Sequence, residues 1–127
     1  MNNHECGIAP DAFVTDANLA AFYTVLSTNV DRAGKPFVSG MEAKDAPVYG
    51  TQWHPEKNAF EWDPQELIPH DAAAAHVCTY MARFFVDECR KSTHTMDYAT
   101  LMRQVIWNYA PVFTGLNNDD FTQTYFF

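Results

Sequence analysis

Three apolar runs follow one another within residues 23–53, joined only by "DRAGKP" and "KDAP". Parallel neighbours need a crossover of about a dozen residues or more, so links this short oblige the runs to pair as antiparallel strands. The runs are "YTVLSTNV" at 23–30, "FVSGMEA" at 37–43 and "VYGTQW" at 48–53. β-Branched and aromatic side chains recur through them, as a half-buried pleated surface requires. Ahead of them, "DANLAAF" at 16–22 reads as a short helix with Asp16 placed to cap it. The opening "NNHECGIAPDAF" is rich in turn formers and reads as a loop.

Beyond the third run, residues 60–69 are aromatic and irregular, and a helix is predicted over 71–91. There Ala74, Val77, Cys78, Met81, Phe84 and Phe85 recur at helical spacing, while Arg83, Asp87 and Arg90 take the other side. Asp71 at its start and Arg90 and Lys91 at its end suit the helix dipole. Residues 96–105 form a further candidate helix, and "VIWNYAPVFTG" and "FTQTYFF" read as apolar edge segments. Phe60, Trp62, Trp107, Tyr109, Phe113 and Tyr125 read as core or sheet-edge packing rather than a stacking platform. The expected architecture is one α/β domain at most over 1–127: a sheet, a helix packed on it, and a tail. The alternating βαβ units that build a complete doubly wound fold are missing. One face of the 23–54 sheet and the apolar side of the 71–91 helix are therefore expected to lack partners, which favours association.

Composition excludes several function classes. Eight basic against sixteen acidic residues give a formal charge of −8, and no Lys/Arg cluster exists to track a phosphate backbone. Nucleic acid and anionic membrane surfaces are thus disfavoured as partners. There is no long apolar run, and "MNNHECG" is polar, so neither a spanning helix nor a signal peptide is expected. Cys6, Cys78 and Cys89 show no CxxC spacing and make neither a disulfide framework nor a zinc site. His70 and His76 are not at a spacing that shares one helical face, and His94 lies in the polar "STHTM". No metal is assigned to them.

The stretch with chemical content is "GTQWHPEKNAFEW" at 50–62. A histidine is the usual general base for a cysteine or serine nucleophile, and it needs a third group to fix its tautomer and stabilise the imidazolium. In an extended segment residues i and i+2 project to the same side, so Glu56 is placed to reach the His54 ring. Pro55 restricts the backbone on both sides of itself. On spacing alone, a solvated His-Pro turn at a strand end is the favoured reading of these residues.

The longer string "YGTQWHPEKNAFEW" resembles the carboxyl-terminal signature of class I glutamine amidotransferase-like enzymes, in which a G-x-Q-aromatic-H-P-E string supplies the His and Glu of a Cys-His-Glu triad. Its extension, followed by "IPH" and a helix ending "FFVDECRKS", is similar to gamma-glutamyl hydrolases in particular. "NHECGIAP" resembles that family's NHxxGIxP loop, and "MEAKDAPVYG", "NYAPVFTG" and "TYFF" match its further segments, so the resemblance covers essentially all 127 residues. It implies part of a flavodoxin-like three-layer α/β fold, here its antiparallel edge strands, carboxyl-terminal helix and tail. It implies His54 as the catalytic histidine, Glu56 as the acid that orients it, and His4 as a residue bordering the substrate site. The implied activity is hydrolysis of gamma-glutamyl bonds in folate or antifolate polyglutamates, without a cofactor, in a lysosome, vacuole or outside the cell. Homodimers are compatible with it.

One departure is large. The family's nucleophilic cysteine sits in a strained strand-to-helix turn of the G-x-C-x-G type, whose small flanking residues allow close packing. Cys6 in "HECGI" lies in a loop matched to another role, and Cys78 and Cys89 fall on the predicted helix as packing residues. The chain is therefore expected to be the carboxyl-terminal portion of one domain, inactive by itself, with the attacking half on a missing amino-terminal portion. Two alternatives stand beside this: a non-catalytic remnant or binding module, and the glutaminase domain of another class I amidotransferase.

Overall fold

The computed structural model describes residues 2–63, 66–116 and 123–127, which group into two compact units, 1–89 and 90–127. In the first unit, two short helices, α1 (Ala12–Thr15) and α2 (Ala17–Phe22), lead into β1 (Tyr23–Val30). The Asp16 carboxylate accepts hydrogen bonds from the backbone N–H groups of Asn18 and Leu19, the cap anticipated for α2. α1 was not anticipated within the opening loop; it buries Phe13, whose ring meets Tyr23 edge-on at 6.3 Å.

β1, β2 (Pro36–Ala43) and β3 (Tyr49–Thr51) form an antiparallel sheet in the order β1-β2-β3, as the short links require. The β1–β2 turn is closed by Asp31, whose carboxylate accepts from the N–H groups of Ala33 and Lys35, and by Gly34 at a φ of 78°. That is a left-handed conformation that favours glycine. β3 is shorter than the 48–53 anticipated. Its last bond to β2 runs from Gln52 N–H to Ser39 O at 3.0 Å, and one residue earlier on β2 the Val38 N–H donates instead to Ile8 O at 2.8 Å. The amino-terminal loop thus takes over the edge that β3 vacates. Gly7 permits the approach, since a Cβ there would stand 3.1 Å from Phe37 Cβ.

α3 (Lys57–Phe60), also unanticipated, packs on α4 (Ala72–Cys89), the long helix foreseen at 71–91. The Asp71 carboxylate caps α4 by accepting from Ala73 N and Ala74 N. Tyr49 joins sheet to helix, meeting Phe84 edge-on at 5.0 Å and donating its hydroxyl to Glu88 at 3.0 Å. Among the described residues the buried apolar set is Phe13, Val38, Ala43, Ile68 and Cys78. Val77 and Phe85 of the anticipated apolar helix face are exposed, at 47% and 63%.

The second unit holds α5 (Tyr98–Gln104), inside the anticipated 96–105, and a 3-10 turn at Ile106–Asn108 where an edge segment was expected. β4 (Val112–Phe113) and β5 (Gln123–Thr124) pair antiparallel. The start of "FTQTYFF" lies outside the described residues. Phe60, Trp62, Trp107 and Phe113, read as packing residues, are largely exposed, and Tyr125 is 39% exposed. Cys89, also read as packing, is exposed at the end of α4, whereas Cys78 is buried. Among the described residues the strands pair only antiparallel, in a mixed helix-and-sheet fold compatible with α/β. No described helix is long and apolar enough to cross a membrane.

Candidate active site

The chain leaves β3, passes Gln52 and Trp53, and turns at His54-Pro55-Glu56 into α3. Glu56 is the N-cap residue of α3 with α-region backbone, φ −85° and ψ −25°. The expected extended geometry is therefore replaced by a turn, to which the fixed φ of Pro55 is suited. The turn nonetheless brings the two side chains together, with His54 Nδ1 2.9 Å from Glu56 Oε1. An ionised carboxylate only accepts, so Nδ1 carries the proton and, in the neutral ring, Nε2 is left as a free base. Side-chain exposures of 31% for His54 and 65% for Glu56 leave the pair open to an incoming molecule.

Partial burial pushes the Glu56 carboxyl up, but the hydrogen bond from its own backbone N–H, together with the hydrogen bond and charge of His54, outweighs it. The carboxyl is held below its ordinary value. His4 lies against the other side of the imidazole, its ring stacked on that of His54 at 4.7 Å between centroids and 25° between planes. All three residues singled out in the sequence are thus gathered at one place.

What aligns the two segments is a network that the sequence did not announce. Glu66 accepts from Asn3 Nδ2 at 2.7 Å and from Lys57 Nζ at 2.7 Å, so one carboxylate ties the loop bearing His4 to the helix that follows His54. The Lys57 hydrogen bond, with that of Asn3, lowers the Glu66 carboxyl, and the same bond raises the Lys57 ammonium. Behind α3, Asn58 is buried and donates to Pro69 O at 2.9 Å. Its own carbonyl accepts the Nδ1–H of His70 at 3.0 Å, and Trp62 lies flat on that ring at 3.7 Å and 6°. Cys78 Sγ reaches Asn58 Oδ1 at 3.8 Å. His70 and Cys78 are therefore engaged in anchoring α3. No periodicity marks such contacts; the only signal was an asparagine within an otherwise helical turn.

No protein-family model matches the chain. Among curated proteins it is 43% identical over 115 residues to gamma-glutamyl hydrolase B of Dictyostelium discoideum, covering 90% of this chain and 33% of that protein. It is 39% identical over its full length to probable gamma-glutamyl hydrolase 3 of Arabidopsis thaliana, covering 36% of that protein. Against gamma-glutamyl hydrolase of Homo sapiens it is 38% identical over 99% of this chain and 39% of that protein. The chain thus spans little more than a third of the length of the curated relatives it matches. With identity at this level along essentially its whole length, the chain is homologous to part of the gamma-glutamyl hydrolases it matches.

Proposed function

We propose that this chain supplies the acid–base half of a gamma-glutamyl hydrolase site, with His54 as the proton-transfer group and Glu56 as the residue that orients it. The observation carrying this reading is the 2.9 Å bond between His54 Nδ1 and Glu56 Oε1, which leaves Nε2 unprotonated in the neutral ring. The nucleophile is a cysteine thiol from outside these residues. Cys6 lies in an open loop, Cys78 is buried within α4 and Cys89 ends it, and none of these is a strand-to-helix elbow.

His54 Nε2 takes the thiol proton as sulfur attacks the carbonyl carbon of the gamma-linked amide, and returns it to the departing amine. Water, deprotonated at the same nitrogen, then cleaves the thioester and frees the thiol. Glu56 offsets the charge of the imidazolium at each stage. His4 borders the substrate. The substrates are folate or antifolate polyglutamates, the fold is part of a flavodoxin-like three-layer domain, and the compartment is lysosomal, vacuolar or extracellular.

The test is to assay the complete protein containing these residues on a pteroyl-polyglutamate and on glutamine. Gamma-glutamyl peptidase activity that His54→Ala abolishes is expected. Glutaminase activity alone would transfer the chain to the amidotransferase reading, and a folded protein inert on both would make it a binding module.

A further inference from the structure

A cavity of about 550 Å³ opens between the loop of residues 2–7 and the β1–β2 turn, with His4, Arg32, Lys35, Phe37 and Gln52 in its wall. His4 is the residue stacked on His54, and Gln52 stands two positions before it, so the cavity adjoins the imidazole pair. A second hollow of about 370 Å³ shares Asn2, Val30 and Phe37 with it and reaches Trp53.

The cations in that wall differ from the others in the chain. Of the eight Lys and Arg residues, Lys44 donates to Ala20 O, Lys57 pairs with Glu61 and Glu66, Arg83 with Asp87, and Arg103 donates to Thr100. Arg90 and Lys91 hold interactions of their own. Arg32 and Lys35 alone make neither an ion pair nor a side-chain hydrogen bond with any described residue, and both face this cavity. Of the acidic residues there, Asp31 directs a carboxylate oxygen into its own turn, accepting from Ala33 N and Lys35 N, so Glu5 is the remaining counter-charge. In a chain of net charge −8, two unpaired cations on one capped turn make a local site for anions.

We propose that Arg32 and Lys35 form a carboxylate subsite that holds the free α-carboxylates of a gamma-linked acidic peptide as it extends from the scissile bond at His54. The inference rests on the function proposed above and adds where the tail is held. Gamma linkage leaves one α-carboxylate free on every residue, and a guanidinium receives such a group through paired N–H donors while the ammonium acts as a point charge. Both cations are solvent-facing, so each contributes modestly and the pair is sensitive to salt.

The experiment measures fluorescence anisotropy of a gamma-linked tetraglutamate labelled at its amino terminus, titrated with the full chain. Binding that weakens about fivefold in Arg32→Gln, about threefold in Lys35→Gln and about tenfold or more in the double variant is expected. Added salt should weaken the wild-type complex, and a peptide whose α-carboxylates are carboxamides should bind no better than the double variant. Arg83→Gln, on α4 and away from the cavity, should leave affinity unchanged, and circular dichroism melts confirm that the turn variants remain folded. Equal affinity in the double variant and wild type, undiminished binding of the carboxamide peptide, or no binding by the wild-type chain overturns the proposal. The readout needs no turnover, so failure here is separable from loss of activity in His54→Ala, which bears on the catalytic reading.

Discussion

His54 is held from two sides, by the Glu56 carboxylate at 2.9 Å on Nδ1 and by the His4 ring 4.7 Å away. If this arrangement carries the chemistry, its members fail differently in the complete enzyme. His54→Ala removes the base and the acid together and is expected to lower kcat by several orders of magnitude with KM largely kept. Glu56→Gln keeps the ring but withdraws the charge that steadies the imidazolium, for an expected loss of ~10 to 100-fold. His4→Ala is expected to raise KM. Steady-state kinetics on a gamma-glutamyl peptide ranks the three. The Glu66 bridge makes a separate prediction in pH. Its carboxyl lies below the ordinary 4.5 when folded, so its contribution is full above that value and is lost as pH falls through the folded pKa. Lys57 is raised above 10.5, so its contribution is full below that value and is lost as pH rises through the folded pKa. Glu66→Gln should therefore lower the melting temperature between these limits and lose the difference at acid pH. Melts across pH measure this. The His54–Glu56 pair was legible because neighbours in sequence share a turn; Asn3 and Glu66, 63 residues apart, left no such mark.

α4 was legible because 18 residues give its apolar period several turns in which to repeat. α1 and α3 have four residues each, about one turn, and one turn carries no period. The β1–β2–β3 order was legible from link length, a consequence of chain geometry. The early end of β3 was not, because the competitor for β2's edge is a loop thirty positions from it, through Ile8 and Val38. Glu56 shows the same limit in reverse: the expected pairing with His54 occurs, but through a helix entry rather than a strand. At this scale the caps are the testable contacts. Asp71 accepts two of the orphan N–H groups at the start of α4, and Asp71→Ala should destabilise the chain by about 1 kcal/mol. Asp71→Asn should lose only a few tenths. Denaturant titration resolves the two. Because α3 packs on α4, a larger loss in Asp71→Ala would mean that fraying reaches the helix following His54.

Across the molecule the apolar residues outnumber the places that bury them. Leu26 and Val30 on β1 are 58% and 66% exposed, and Tyr80 and Phe85 on α4 are each 63% exposed. A Val, Leu or Phe side chain gains roughly 1.5–3 kcal/mol on full burial, so each of these forgoes a large part of what burial offers it. Such residues are ordinary when scattered singly, but here they recur along a strand and along the longest helix. Among the described residues β1 has only β2 as a strand neighbour, so its other edge has no strand partner there. The sequence anticipated this from the missing βαβ units, and the exposed side chains agree with it. The chain by itself should therefore self-associate at micromolar concentration, with an average mass above 14.4 kDa that grows with concentration and with added sulfate. Size-exclusion chromatography with light scattering reads this directly. Leu26→Lys combined with Phe85→Lys should shift the population toward the monomer, through both lost apolar area and an edge made less adhesive. A monomer at all concentrations, melting cooperatively, would show that these surfaces need no cover and that the fold closes upon itself.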